Sequence, residues 1–111
     1  MKREFRLLKN YDFTKVINRK QNFANQSFVV YYQKNDQNKI RVGISISSKY
    51  GCAVERNKAK RQVREMVHDI FPTTLALDIV IIIRKGFSKN DFSKNFEELN
   101  RIYKKILEKV D

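Results

Sequence analysis

The chain has 111 residues, 24 Lys+Arg against 12 Asp+Glu, a formal net charge of +12 and 41% hydrophobic residues. That length suits one compact domain over 1–111, and that apolar content excludes a wholly disordered chain. One cysteine excludes an internal disulfide and a cysteine-rich zinc site, and no apolar run approaches the roughly 20 residues of a membrane helix.

In chain order, the opening MKREFRLLKN lacks the apolar stretch of a secretory signal, so a soluble, cytoplasmic chain without a membrane partner is expected. Residues 10–20 read as a first helix. Asn10 can cap it, Asp12 suits its positive end, and Phe13, Val16 and Ile17 form one apolar face. Residues 27–34, SFVVYYQK, are β-branched and aromatic and predict a strand. Residues 40–47 alternate: Ile40, Val42, Ile44 and Ile46 point one way, Arg41, Gly43, Ser45 and Ser47 the other. With NDQNK as a turn, these two strands are expected to form an antiparallel hairpin. A second helix is expected at about 55–71, closed by Pro72. The apolar run DIVIII at 78–83 predicts a central strand covered on both faces. A last helix spans 91–110, with Phe92, Phe96, Leu99, Tyr103, Ile106 and Val110 as its buried stripe. The order α-β-β-α-β-α is an α+β sandwich, helices packed on a small sheet.

The charge is unevenly spread. Residues 1–20 carry Lys2, Arg3, Arg6, Lys9, Lys15, Arg19 and Lys20 against Glu4 and Asp12. Residues 49–64 carry Lys49, Arg56, Lys58, Lys60, Arg61 and Arg64 against Glu55 alone, whereas 91–111 are close to neutral. Two basic clusters and a neutral tail point to a polyanionic partner rather than to solubility. A membrane surface is disfavoured because no exposed apolar stripe accompanies the charge.

On a wheel of about 100° per residue, Ala59, Val63, Met66, Val67 and Ile70 form the core face of the second helix. Asn57, Lys60, Arg61, Arg64 and His68 lie opposite, with no acid among them. An ordinary solvated helix would intersperse acids there to gain i,i+4 pairs. Arginine forks grip phosphate and stack on bases, and Asn57 can read a base edge or a 2′-hydroxyl. On the second strand, the outward Arg41, Gly43, Ser45 and Ser47 are small and polar with one cation, an open face for a strand of nucleic acid or simply a solvated one.

The stretch from Ala53 to Glu65 carries A-V-x-R-N-x-x-K-R-x-x-R and resembles the arginine-rich signature of the bacterial ribonuclease P protein subunit. Phe13 in D-F-x-x-V, A-N-x-x-F-V-V-Y (Ala24 to Tyr31), R-V-G-I-S-x-S (Arg41 to Ser47), K-x-G-x-A-V (Lys49 to Val54) and D-I-V-I-I-I-R (Asp78 to Arg84) resemble the family in order, over nearly the whole chain. The resemblance implies a ribosomal-protein-like sandwich with a left-handed β-α-β crossover, although right-handed crossovers dominate elsewhere. It implies a ribonucleoprotein that removes the 5′ leader from precursor tRNA, with catalysis by the RNA subunit and its Mg²⁺, and no obligate protein partner. On that reading Lys49, Arg56, Asn57, Lys60, Arg61, Arg64 and His68 bind the catalytic RNA, and Phe13, Ile17, Lys20, Tyr31, Arg41 and Ser45 line the leader cleft, with no catalytic residue in the protein. Three positions depart from the family pattern. Ile17 replaces a common aromatic, Lys20 a usual glycine and Ser48 a usual lysine. A missing aromatic should weaken leader stacking by about 1–3 kcal/mol, and Lys20 is expected to offset this electrostatically.

Other residues read more simply. Cys52 is expected to be filler or surface rather than a nucleophile, and Glu97-Glu98 a solvated pair, since adjacent helical residues do not face each other. A metal ligand in the protein is not identifiable. Two further classes stand beside the leading one: a structural RNA-binding protein of ribosomal type, and a self-sufficient nuclease. The last lacks both an acidic cluster for two metals and a histidine pair.

Overall fold

A computed structural model describes residues 2–7 and 10–110; Lys9, counted in the first basic cluster, lies outside them, as do Met1, Leu8 and Asp111. Three helices, α1 (Asn10–Asn18), α2 (Ala53–Ile70) and α3 (Phe92–Val110), pack on a sheet of four strands: β1 (Asn22–Ala24), β2 (Phe28–Lys34), β3 (Arg41–Ile46) and β4 (Leu77–Ile83). The α+β sandwich is as expected, but the order is α-β-β-β-α-β-α. β1 was not foreseen because three residues with one strong strand former carry no period-two pattern. It forms because β2 offers an open edge, pairing Phe23 with Val30, and because Phe23 stacks on Tyr32 at 5.9 Å between ring centroids.

The sheet order is β1-β2-β4-β3, so the expected β2–β3 hairpin does not exist. β4 lies between them, antiparallel to β2 through seven register pairs and parallel to β3 through six. The cause is β4 itself: a strand apolar on both faces is best placed with a neighbour on each side. Segment 35–40 then has to cross two inter-strand spacings, about 10 Å, rather than close a tight turn. It passes over the start of β4, pinned by Asn35 N–H to Ala76 O (3.0 Å) and Ile40 N–H to Thr73 O (3.0 Å). The chain then returns from β3 through α2 to β4, a β-α-β unit between adjacent parallel strands.

Period-two alternation in β2 and β4 separates the two layers. Val30, Tyr32, Ile79 and Ile81 face α2 and α3, where Val63, Met66, Leu99, Ile102 and Ile106 complete the main core. Tyr31, Val80 and Ile82 face the other way, against Phe13, Val16 and Ile17 of α1 and Leu7. Each fully buried aliphatic side chain contributes about 1.5–3 kcal/mol relative to exposure. The α3 stripe is rotated from the expected one: Asn95, Leu99, Ile102 and Ile106 are buried, while Phe92, Phe96, Tyr103 and Val110 flank them half-buried. Asn95 is tolerated in the core because Ser27 Oγ donates to its Oδ1 at 2.8 Å and its Nδ2 donates to Phe87 O at 3.0 Å.

Two local features have energetic consequences. Asp78, 3% exposed at the start of β4, accepts from Arg41 Nε (2.9 Å), Arg41 Nη2 (2.7 Å) and Asn35 Nδ2 (2.8 Å). Burial pushes its carboxyl up, but these hydrogen bonds outweigh burial and hold it below the ordinary range. The Arg41 guanidinium is raised in turn by its bond to Asp78. Lys20, just after α1, has φ 59°, in the left-handed region, and its N–H donates to Ile17 O at 3.0 Å. This is a helix-ending geometry that glycine adopts without steric cost, which accounts physically for a glycine preference at the site.

Lys20→Gly is expected to stabilise the fold by up to about 1 kcal/mol, measured as a rise in the thermal midpoint. Asp78→Asn should destabilise it by about 2 kcal/mol at pH 7, discounting for the partial exposure of Arg41. Because the folded-state pKa of Asp78 is lowered, its contribution is present above the unfolded value, about 4, and is lost as pH falls through the folded one. Urea unfolding of the two proteins should therefore converge in acid.

Candidate nucleic-acid interface

Helix α2 is the element from which the site is built. Glu55 starts it: its Oε1 accepts from the Cys52 N–H at 3.2 Å, and hydrogen bonds from Cys52 hold the Glu55 carboxyl below its ordinary range. Cys52 thus sits exposed at the helix N-cap. The bond also draws the nearest acid toward the helix start. Ala59, Val63, Met66 and Val67 are buried as the wheel requires, with Ile70 half-buried. Asn57, Arg61 and His68 are exposed, and Lys60 and Arg64 partly so.

Among the described residues, no carboxylate pairs with Lys60, Arg61 or Arg64. His68 Nδ1 lies 3.4 Å from Asp69 Oδ1, an ion pair when the imidazole is protonated. Arg56 is different. Its Nη1 donates to Gly51 O at 2.7 Å and to Ser48 O at 3.4 Å, so its guanidinium braces the turn Ser48–Tyr50 that leads into α2. Lys49 is exposed on that turn. The sequence reading missed Val54, which is 76% exposed in the first turn of α2. It stands three and seven residues before Asn57 and Arg61, hence on the same outward line. An apolar residue opposite the core face of the wheel was the signal.

The other expected residues divide. Phe13, Ile17 and Tyr31 meet in the cluster on the α1 face of the sheet. Ser45 pairs with Ile82 in the parallel register and so shares that face. Gly43 does not leave the surface open as its size suggested: a Cβ there would run into the Phe13 ring, which occupies the space that a side chain would take. Arg41 lies at the other end of β3, forked onto Asp78, and Lys20 follows the C-terminus of α1. Arg64 joins the two halves of the surface. It lines one depression with Asn10 and Phe13 of α1 and Gly43 and Ile44 of β3. The arrangement sets cations of α2 beside a depression at the start of α1 that is lined by the Phe13 ring and the Asn10 amide.

Among the described residues, no three His, Cys, Asp or Glu side chains gather to hold a metal ion. Asp78, the buried carboxylate, is taken by Arg41 and Asn35. The residues present therefore do not fit a Mg²⁺ site made by the protein alone. No described helix is long and apolar enough to cross a membrane.

The ribonuclease P family model matches residues 1–107. The ribonuclease P protein component of Mesoplasma florum is 42% identical over 110 residues, covering 96% of this chain and 99% of that one. The corresponding component of an Exiguobacterium species is 43% identical over 105 residues, covering 95% and 92%. Among solved structures, the Staphylococcus aureus RNase P protein superposes with a TM-score of 0.82 at 36% identity, covering 90% of this chain and 93% of that one. Motif, fold and full-length similarity agree, and the chain belongs to the ribonuclease P protein family.

Proposed function

We propose that this chain binds the catalytic RNA of ribonuclease P and the 5′ leader of precursor tRNA, and so promotes endonucleolytic removal of the leader in the bacterial cytoplasm. The observation that carries this reading is the outward face of α2, where Lys60, Arg61 and Arg64 have no carboxylate partner among the described residues. Unpaired cations on a rigid helix gain most from a polyanion that brings its own charge and releases counterions on binding. Asn57 and the exposed Val54 add an amide and an apolar contact to the same line, suited to a base edge and a ribose face.

On this reading the groove under α1 takes single-stranded leader. Phe13 supplies aromatic surface there, with the half-buried Tyr31 in the same cluster, and Arg64 stands where helix and groove meet. Catalysis belongs to the RNA subunit, and the assembly's Mg²⁺ is held by RNA phosphates. The protein contributes binding and orientation, so no side chain of this chain is assigned a catalytic role and no second protein is required.

Lys60→Ala/Arg61→Ala should leave the thermal midpoint nearly unchanged, since neither side chain is part of the core. The log–log salt slope of RNA binding should shrink in magnitude by about 1.4–1.8, from roughly 0.7–0.9 per phosphate contact. Wild-type chain added to the RNA subunit at low Mg²⁺ should speed precursor tRNA cleavage, and the double variant should do so less. Cleavage by the protein without RNA would refute the assignment. No effect on RNA-catalysed cleavage would favour a purely structural RNA-binding role.

A further inference from the structure

A second concentration of positive charge lies at the opposite end of the sheet. Strands β3 and β4 are parallel, and α2 begins beyond the C-terminal end of β3 and runs back to the start of β4. The first turns of α2 are therefore at one pole. At the other, where β3 and β4 begin and β2, α1 and α3 end, Lys15, Arg19, Lys34, Lys109 and Arg41 line a depression of about 690 Å³. The acids on its wall are Asp78 and Asp36. Asp78 is already met by the Arg41 fork and Asn35, and the Asp36 carboxylate accepts from Gln37 Nε2 at 3.0 Å. Among the described residues, no carboxylate lies within ion-pair distance of Lys15, Arg19, Lys34 or Lys109.

Two aspects make this more than scattered surface charge. Lys15 on α1 and Arg19, the residue that follows its last one, stand four residues apart, a like-charge arrangement that weakens the end of a helix by a few tenths of a kcal/mol. α1 and α3 both end at the depression, and their C-terminal dipoles offset part of the mutual repulsion. They do nothing to neutralise Lys34, which comes from a strand. In addition, α1 links this basin to the α2 site. Asn10 and Phe13 share a depression with Arg64, and Lys15 and Arg19 open onto the basin. A single polyanionic strand laid along α1 would touch both.

Extending the RNA-binding reading of α2 and resting on it, we propose that this basin is a second phosphodiester-binding site, which grips distal phosphates of the same single-stranded RNA that lies along α1. The Lys15, Arg19, Lys34 and Lys109 side chains hold phosphate oxygens, and the exposed Gln21 amide on the wall suits a sugar or base edge.

The test uses the full chain and a long polyuridylate, with affinity followed against salt concentration. Lys15→Ala/Arg19→Ala should lower the slope magnitude by about 1.4, two contacts at roughly 0.7 each for a single strand, with no loss of thermal midpoint. Lys104→Ala/Lys105→Ala, an equal charge loss on the exposed side of α3, should leave the slope at the wild-type value. An unchanged slope in the Lys15/Arg19 variant, or an equal fall in the Lys104/Lys105 variant, overturns the basin. If the Lys60/Arg61 variant loses slope while the Lys15/Arg19 variant does not, only the basin fails; if neither does, the RNA-binding reading of α2 fails too. Phosphate that raises the thermal midpoint of the wild type but not of the Lys15/Arg19 variant, at ionic strength matched with chloride, would mark a free-phosphate site and overturn the RNA assignment.

Discussion

A strand that is apolar on both faces must be covered on both, and β4 imposes that demand on the rest of the molecule. Ile79 and Ile81 need the α2–α3 layer; Val80 needs α1. Its edges also need partners, and β2 and β3 take one each. From this follow the long passage of residues 35–40 over the start of β4 and the parallel β3–α2–β4 unit. The same demand fixes the position of α2: it returns across one face of the sheet with its apolar side inward, so its basic side has nowhere to point but solvent.

That outward charge contrasts with the charged groups the fold does engage. Arg41 forks onto the buried Asp78, and Glu55 turns back to the start of α2. Among the described residues, no carboxylate comes within ion-pair distance of Lys60, Arg61 or Arg64. Unpaired cations repel one another in the folded state, and a polyanion relieves that repulsion when it binds. The structure thus sorts the arginines into two kinds that composition counts alike. Arg41 and Arg56 hold the protein's own loops and strands together, whereas Arg61 and Arg64 face outward.

The groove under α1 shows how backbone and side chain share one space. Gly43 is small because the Phe13 ring lies on it. The contact seats α1 on the sheet and brings Phe13 to the depression that Arg64 shares. Lys20 ends the same helix in a left-handed conformation that a lysine holds only at some steric cost. Position and chemistry of the groove are therefore set by the way α1 begins over β3 and ends before β1.

Much was legible from local pattern. The 3.6-residue period of 55–70 separated core from solvent on α2, and the continuous apolar run of 78–83 marked a central strand, because each depends only on residues near in sequence. The arginine-rich motif identified the family for the same reason. Strand partners were not legible: β2 and β3 are adjacent in sequence and look like a hairpin, yet which strands pair depends on a third strand more than thirty residues away. The three-residue β1, the rotated stripe of α3 and the engagement of Arg41 by Asp78 belong to the same class. The sequence by itself determined which residues are apolar, which are cationic and with what period. Only the tertiary structure decided which cations meet a carboxylate and which are left facing outward, because that outcome rests on contacts between segments far apart in the chain.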